Sequence, residues 1–422
     1  MNAGAPAAAL RRTGWERVDR YLTRDRLVVY PAVVVVLFLV VWFISLPLRF
    51  PLPDFLSRWT AGRLVLDGRA AELYDPAVQS AVQLDLGATA LSWFVSPPYV
   101  AALLVAFGGM PYAVAAVVWT LATLVLLWVT VRSLVALHPA FAALDGWRGL
   151  LLAGSCQAVL ELVGAGQDSA LVLAALVVGA RLLADGRDPW AGLVLSVALV
   201  KPQLAWLVPV VLLARGAWTA LGGFVAGALA LLTVSLVVLG PQSWARWVET
   251  LGSPLYRTEV VGGQTEKNAT LQGLVEHLVP GSGWPATALW LMGFAVLAVV
   301  AVRHRDRLAG MTLPVLLVTA VPLTTVLMTP HAMVYDLVVV LPAVVWLLAE
   351  RPSPRLRGLA AVGYLLLFLS PLIQLVVLAV PSLAVLSAPW VVVVLVLLWR
   401  ELGSPAVPLV LSGRTEGEQR VG

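Results

Sequence analysis

The sequence predicts an all-α protein that crosses a membrane many times, and three observations lead to this fold class. Of the 422 residues, 60% are hydrophobic and only 12% are charged, whereas soluble domains carry about 25% charged residues. Apolar runs near the length of a spanning helix, about 20 residues, recur along the whole chain. Short arginine-rich segments flank these runs, as they do in the cytoplasmic loops of membrane proteins.

The candidate spanning segments follow one another almost without interruption between residues 27 and 399. They are 27–47, 97–109, 112–134, 149–165, 169–184, 189–200, 203–214, 218–239, 285–302, 311–328, 332–349, 357–380 and 383–399. Several are shorter than a full span, as half-helices around a buried site often are. From these lengths we expect about 12 transmembrane helices, with both termini in the cytoplasm.

The predicted organisation is one transmembrane domain with two cytoplasmic ends. Residues 1–26 form the N-terminal segment, 27–400 the transmembrane domain, and 401–422 a disordered tail. The run 27–47 has no small-residue cleavage site after it, which indicates a signal anchor rather than a cleaved signal peptide.

The sidedness of residues 91–215 has two solutions. If both 97–109 and 112–134 are full spans, Arg132 and Arg148 lie outside, against the positive-inside rule. Either 97–109 is re-entrant, or 189–214 is one long helix.

Two polar stretches, 48–92 and 240–284, are too long to be simple turns. The arginine pattern places both on the outer face. Long loops in compact proteins are usually functional or disordered, and the aromatic content of these two favours order. We therefore expect outer loops that carry short juxtamembrane helices.

Composition also excludes several classes of function. The net charge of +5 comes from arginines beside apolar runs, not from a basic stripe with interleaved aromatics, so we expect no nucleic-acid partner. The single cysteine, Cys156, permits no disulfide framework. The chain has no P-loop, HExxH, GxSxG or CxxC motif, and we expect neither a metal nor another cofactor.

Polar and ionisable groups at membrane depth are costly and therefore mark candidate functional sites. In the predicted topology such groups gather on the outer face. They are Asp54, Arg58, Tyr74, Asp75, Gln167, Asp168, Lys201, Arg257, Asn268, Gln272, His331, Tyr335 and Asp336.

Three of these residues carry the strongest indications of chemistry, each with a plainer alternative. Asp54 has the position of a general base, or of a helix N-cap. Lys201, before Pro202, is either an anion-binding ammonium at a broken helix or a lysine whose amine reaches the membrane interface. His331 follows Pro330 and either donates to a phosphate or is an interfacial side chain.

The order of short motifs resembles glycosyltransferase family 87, membrane mannosyltransferases of the GT-C superfamily that use polyprenyl-phosphate sugars. The resemblance begins with D-F-x(3)-W-x-A-G-x(5)-G and L-Y-D-P within residues 54–76 and continues through Ser-Pro-Pro-Tyr at 96–99, where the family has Tyr-Pro-Pro. Further along are G-Q-D at 166–168, where the family more often has G-Q-x-N, V-K-P at 200–202, and N-A-T-L-Q-G at 268–273. Pro330-His331 with Asp336 completes the series.

This resemblance implies a GT-C fold and a role for each matching residue. Asp54 would be the general base, and Lys201, His331 and Arg58 would surround the donor phosphate. The substrate-binding residues would be Trp59, Tyr74, Gln167, Asp168, Arg257, Asn268, Gln272, Tyr335 and Asp336.

The implied function is sugar transfer, with mannose as the expected sugar, from a polyprenyl-phosphate donor to a glycolipid or lipoglycan hydroxyl. Transfer would invert the anomeric centre, outside the plasma membrane, with membrane lipids as the other partners. Arabinosyl or glucosyl transfer is the alternative within this class. A transporter or flippase for a lipid-linked sugar, or an assembly protein without activity, is the alternative outside it.

Overall fold

The protein is described here from a computed structural model that covers residues 26–45, 52–261, 267–279, 281, 284–303, 311–350, 353–363 and 386–401. Throughout these ranges the regular structure is helical. The α-helices are α1 Arg26–Ser45, α2 Pro53–Leu66, α3 Pro76–Asp85, α4 Pro98–Gly108, α5 Tyr112–Leu137, α6 Trp147–Gly154, α7 Gln157–Ala165, α8 Ser169–Ala184, α9 Asp188–Ser196, α10 Pro202–Ala205, α11 Leu207–Ala214, α12 Trp218–Leu239, α13 Gln242–Leu251, α14 Leu271–Leu278, α15 Trp284–Arg303, α16 Leu313–Val318, α17 Ala320–Met328, α18 Leu341–Glu350, α19 354–363 and α20 Ser387–Glu401.

Short helices of other types join these α-helices. The 3₁₀ segments are Ala70–Glu72, Pro139–Leu144, Val197–Val200 and Val334–Val340, and a π-helical turn spans Tyr256–Val261. A single antiparallel bridge between Asn268 and Met333 joins two loops of the described chain.

Two helices in the described ranges, α5 and α12, are long and apolar enough to cross a membrane alone. Shorter apolar helices, including α4, α8 and α20, accompany them. An all-helical protein with membrane-capable helices is therefore confirmed, whereas the count of about 12 spans and their sidedness stay predictions. The segments 1–25 and 402–422, and most of 357–380, lie outside the described residues.

The region whose sidedness had two solutions is built from short helices. Helix α4 has only 11 residues, too few for a full span of about 20. Residues 189–214 do not form one continuous helix, because α9 passes into a 3₁₀ turn that ends at Lys201. Pro202 lacks the amide hydrogen that would continue the ladder, and the chain restarts as α10 and α11.

The two polar stretches contain ordered elements. Residues 48–92 supply α2 and α3, and 240–284 supply α13, the π-helical turn and α14. Ser243 is the one buried residue of α13, and Gly273 is the buried residue of α14. In contrast, most of α2 is buried, so the helix that carries Asp54 is part of the core.

Helix α2 is held by a close crossing with α4 at Gly62 and Gly108. A Cβ atom on Gly62 would lie 2.2 Å from the Leu104 carbonyl oxygen, and one on Gly108 would lie 2.2 Å from Gly62 C. The two backbones therefore touch, which only glycine permits, as in other membrane helix pairs with small residues at the contact. This contact fixes the position of α2 along α4.

We predict that Gly108→Ala destabilises the protein and Gly109→Ala does not. The added methyl at Gly108 meets backbone at 2.2 Å, whereas the nearest atom to a Cβ on Gly109 is a leucine methyl at 3.5 Å. Overpacking of this kind costs about 1–3 kcal/mol. Thermal unfolding in detergent measures the difference, and equal midpoints for the two variants would contradict the crossing.

Candidate functional site

A cavity of about 460 Å³ opens between α2, the turn before α8, the break before α10 and the loop after α17. Its polar lining includes most of the ionisable residues singled out from the sequence. They are Asp54, Arg58, Gln167, Lys201, His331, Tyr335 and Asp336. Asp168 is buried and forms ion pairs with two of them.

Asp54 lies in the first turn of α2, one residue after Pro53. Leu52, which precedes the helix, has a left-handed backbone with φ 54° and ψ 67°. This conformation costs a non-glycine residue about 1–3 kcal/mol, and here the Leu52 carbonyl accepts a hydrogen bond from the Tyr112 hydroxyl at 2.9 Å. The Tyr112 hydroxyl thus stabilises the strained backbone at Leu52, where the chain enters α2. The half-buried Asp54 that follows lines the cavity.

The turn between α7 and α8 brings Gln167 to Asp54. Gly166 has a positive φ of 75°, which favours glycine, and a Cβ there would lie 2.6 Å from the Cβ of Phe55. The turn can therefore approach the start of α2 closely. The Gln167 amide nitrogen Nε2 donates to Oδ2 of Asp54 at 2.7 Å.

Two cations and two carboxylates form a buried cluster beneath Asp54. Nε and a terminal nitrogen of Arg58 both lie 3.0 Å from Oδ2 of Asp168. Lys201 Nζ lies 3.2 Å from Oδ1 of Asp168 and 2.7 Å from Oδ1 of Asp336. The two positive charges balance the two negative ones, as buried charges require. We call Arg58, Asp168, Lys201 and Asp336 the buried charge cluster.

Neutral groups add further hydrogen bonds to the cluster. Ser169 donates to Oδ1 of Asp336 at 2.6 Å, and its oxygen accepts from Lys201 at 2.8 Å. The Lys201 ammonium also lies 4.6 Å from the centroid of the Tyr335 ring, within cation–π distance. Oδ2 of Asp336 accepts from the Met333 backbone amide at 3.0 Å.

The break in the helix at Lys201 supplies the geometry that the cluster needs. The Lys201 amide donates to Ala198 O at 3.1 Å, and the Tyr99 hydroxyl donates to Leu199 O at 2.6 Å. Carbonyls freed by Pro202 are thus paired within the protein. The ammonium can turn inward toward the carboxylates because the backbone there is not helical.

His331 lies in a loop that Asn268 holds in place. Oδ1 of Asn268 accepts from the Ala332 amide at 3.3 Å, and Nδ2 donates to the Pro330 carbonyl at 3.4 Å. Burial lowers the pKa of His331 to about 4; the Asp336 charge opposes this shift and the Lys201 charge adds to it. The imidazole is therefore neutral at pH 7. Its Nδ1 is buried and has no hydrogen-bond partner in the described part of the chain.

Part of the cavity lining is aromatic, and we call this part the aromatic wall. The Trp93 indole donates to Oε2 of Glu259 at 2.7 Å, and the Trp247 indole donates to the Val95 carbonyl at 3.0 Å. These two bonds join the 91–97 loop to the 240–261 segment. Tyr256 lines the same wall. Aromatic faces beside a polar group suit a ligand that is part apolar and part hydroxylated.

The remaining residues singled out from the sequence contact other parts of the protein. The Trp59 indole donates to Met110 O, Tyr74 donates to the Ser96 carbonyl, and Gln272 donates to Glu276. Asn268 supports the His331 loop, and Arg257 is exposed. Substrate contacts by these residues stay predictions.

Asp75, the other residue from the first loop, caps α3 by accepting from the Ala77 amide at 2.8 Å. This is the role that Asp before Pro commonly has.

Sequence reasoning expected the aromatic-rich loops 48–92 and 240–284 to hold the acceptor, but it did not single out Ser169 or the residues of the aromatic wall. Ser169 follows Gly166-Gln167-Asp168 directly, and a hydroxyl next to two selected polar residues was the available signal. Trp93, Trp247 and Glu259 carry no motif. Their meeting depends on the packing of two loops that are distant in sequence.

We predict that Asp168→Asn destabilises the protein by about 3–5 kcal/mol, because it removes the carboxylate that pairs with the buried Arg58 and leaves Lys201 with Asp336 alone. Burial by itself raises the pKa of Asp168, but the charges of Arg58 and Lys201 outweigh this effect and hold that pKa at about 2. The stabilisation is therefore present above the ordinary carboxyl pKa and is lost as pH falls toward 2.

The matched control for this prediction is Asp145→Asn. Asp145 pairs with Arg132 at 3.1 Å, but both side chains are more than half exposed, and such pairs contribute about 0–1 kcal/mol. Denaturant unfolding at pH 7 compares the two variants. A loss in Asp168→Asn no larger than in Asp145→Asn would contradict the cluster's structural role.

A family model matches the chain, whereas no curated protein and no solved structure does. The matching family model is glycosyltransferase family 87, over residues 94–330. This range includes Gln167, Asp168 and Lys201, and it excludes Asp54 and His331. Because the match covers more than half of the 422 residues, the chain belongs to glycosyltransferase family 87.

Proposed function

We propose that this protein transfers a sugar from a polyprenyl-phosphate donor to a hydroxyl acceptor, with Asp54 as general base. The observation that carries the proposal is the position of Asp54. Its carboxylate is half-buried at the wall of a cavity of about 460 Å³, and a charge-balanced cluster lies directly behind it. A general base must be open to the substrate and held in a fixed position. The Asp54 carboxylate lines the cavity, and Gln167 holds it by a hydrogen bond.

The proposed reaction is a single displacement. The acceptor hydroxyl oxygen attacks the anomeric carbon and forms the new glycosidic bond, while the bond from that carbon to the phosphate oxygen breaks. The hydroxyl proton passes to Asp54, and the electron pair leaves with the polyprenyl phosphate. Attack from the face opposite the leaving group inverts the anomeric centre, so a β-phosphoryl donor gives an α-linkage.

The donor phosphate is proposed to bind beside Lys201, Arg58 and His331. Asp168 and Asp336 already balance the two cations, and Lys201 already donates to Gln167, Ser169 and Asp336. A hydrogen bond from Lys201 to the phosphate would therefore replace one of these three. Such preorganised donors stabilise charge that develops on a leaving group. The buried, unpartnered Nδ1 of His331 supports its part in this arrangement.

The acceptor is proposed to lie against the aromatic wall. Trp93, Trp247 and Tyr256 offer apolar faces to the C–H side of a sugar, and Glu259 offers acceptor oxygens to its hydroxyls. A glycolipid or lipoglycan has this mixture of groups. The wall and Asp54 line the same cavity, as direct transfer from donor to acceptor requires.

Mannose is the proposed sugar, and the site is proposed to face the extracytoplasmic side of the plasma membrane in a multi-pass protein. The resemblance of the motifs supports the sugar, and the arginine-rich segments support the sidedness. Comparison of donors that carry mannose, glucose and arabinose separates these sugars.

We predict that Asp54→Asn is folded but lowers kcat by at least about 100-fold, since general bases contribute about 10²–10⁴-fold. The assay uses purified protein, polyprenyl-phosphate mannose and a mannosylated lipid acceptor. Asp67→Asn is the matched control, because Asp67 ends the same helix and pairs with Arg63 on an exposed surface. It should keep wild-type turnover.

Two outcomes would contradict the proposal. Near-normal turnover by Asp54→Asn would remove the general-base assignment. Movement of a labelled polyprenyl-phosphate sugar across proteoliposomes, with no transfer in any assay, would indicate a transporter instead.

We further predict that the KM for the donor stays constant between pH 8 and pH 5.5. Burial lowers the pKa of His331 to about 4, so the imidazole gains no proton over this interval and its donor strength does not change. Initial rates at varied donor concentration measure this. A KM that falls as pH drops through about 6.5, the ordinary histidine value, would show that a cationic His331 binds the phosphate.

A further inference from the structure

Gln167 has every polar atom of its side chain engaged by charged groups. Oε1 accepts from Arg58 at 2.8 Å and from Lys201 at 3.2 Å. Nε2 donates to Oδ2 of Asp54 at 2.7 Å. The side chain therefore joins the buried charge cluster to Asp54, a cavity-lining carboxylate that is not part of that cluster.

The orientation of this amide follows from its partners. An amide oxygen accepts and an amide nitrogen donates. If the group were turned over, its NH₂ would face two cations and its oxygen would face a carboxylate, and all three contacts would be repulsive. The two cations on Oε1 thus force the N–H donor toward Asp54.

From this geometry we propose that Gln167 is a positioning residue for Asp54 and not a substrate-binding residue. It holds the carboxylate in one orientation through the hydrogen bond that Nε2 donates to Oδ2 of Asp54 at 2.7 Å. The inference rests on the proposed role of Asp54 in glycosyl transfer.

The backbone around Gln167 is fixed well enough for this role. Gln167 is 5% exposed, and its amide donates to the Leu162 carbonyl at 2.9 Å. The neighbouring Asp168 is held by Arg58 and Lys201. The side chain cannot swing away without breaking contacts to both cations, so its N–H group is a rigid partner for the base.

Other charged and titratable groups surround Asp54. A variant that tests the effect of Gln167 alone must leave these groups unchanged. Arg58 is on the same helix, and its terminal nitrogen donates to the Asp54 backbone carbonyl at 2.9 Å. The groups on surrounding elements are Tyr112 on α5, Glu161 on α7, Asp168 before α8, Lys201 before α10, and His331, Tyr335 and Asp336 after α17. All of them remain unchanged in Gln167→Glu.

Gln167→Glu exchanges the NH₂ group for an oxygen and alters little else. The remaining oxygen keeps its contacts with Arg58 and Lys201, so the variant is expected to fold. The new oxygen meets Oδ2 of Asp54 where the wild type has a 2.7 Å hydrogen bond. Two carboxylates at this distance hold one proton between them into a higher pH range.

The expected result is a shift of the acid limb of the kcat/KM–pH profile to higher pH, by at least about one unit. The turnover of Gln167→Glu, lowered at neutral pH, should recover at pH 9 to within about threefold of the wild-type value. Its KM values for donor and acceptor should stay within about twofold of those of the wild type. Gln203→Glu is the charge control. Gln203 lines the same cavity and has no hydrogen bond to Asp54 among the described residues, so its acid limb should stay in place.

Gln167→Met gives a second readout that does not depend on a new charge. It has a similar length and removes both the donor and the acceptor, so kcat should fall at least about tenfold while KM changes less than twofold. A merely structural role would change stability without this separation of kcat from KM.

The inference is overturned if the acid limb of Gln167→Glu does not move relative to Gln203→Glu. It is equally overturned if either Gln167 variant raises a substrate KM at every pH with kcat unchanged, which is the behaviour of a substrate contact. Asp54→Asn separates this failure from failure of the proposed function. If that variant is inactive and the Gln167→Glu profile is unshifted, only the role of Gln167 is wrong; if it is active, the base assignment fails as well.

Discussion

The site depends on the balance of two buried cations by two buried carboxylates. Asp168 pairs with both Arg58 and Lys201, and Lys201 also pairs with Asp336. These residues come from four segments that are far apart in sequence. Removal of one partner would leave an uncompensated charge at low dielectric, which costs far more than the pair contributes. The segments are therefore held at fixed distances from one another, and the cavity has a defined shape.

Three irregular turns lie next to residues of the proposed chemistry. Leu52 is left-handed just before Asp54, Gly166 is left-handed just before Gln167, and Lys201 ends a 3₁₀ turn before Pro202. Each irregular turn is anchored by a neighbour, as the Tyr112 hydroxyl anchors the Leu52 carbonyl. Strained backbone persists only where surrounding structure fixes it, and here the anchors are themselves parts of the packed core.

The cluster also divides the candidate residues into two kinds. Arg58, Lys201 and Asp336 have their charges satisfied inside the protein, whereas Asp54 makes one side-chain hydrogen bond, to Gln167, within the described chain. In the proposed mechanism the first kind maintains the site, with Arg58 and Lys201 beside the donor phosphate, whereas Asp54 takes up and releases a proton in each turnover. The aromatic wall that carries Trp93 and Trp247 adds the surface on which an acceptor would lie.

The sequence by itself determined the helical class, because apolar runs of this density cannot form a soluble core. It also determined the motif residues, and the break at Pro202 follows from the missing amide hydrogen alone. Only the tertiary structure decided that Lys201 faces Asp168 and Asp336, that Gln167 touches Asp54, and that Trp59 and Tyr74 lie in supporting contacts. Pairing between residues on different helices depends on how those helices cross. The glycine contact of α2 with α4 is one such crossing, and it depends on a steric fit that no local pattern encodes.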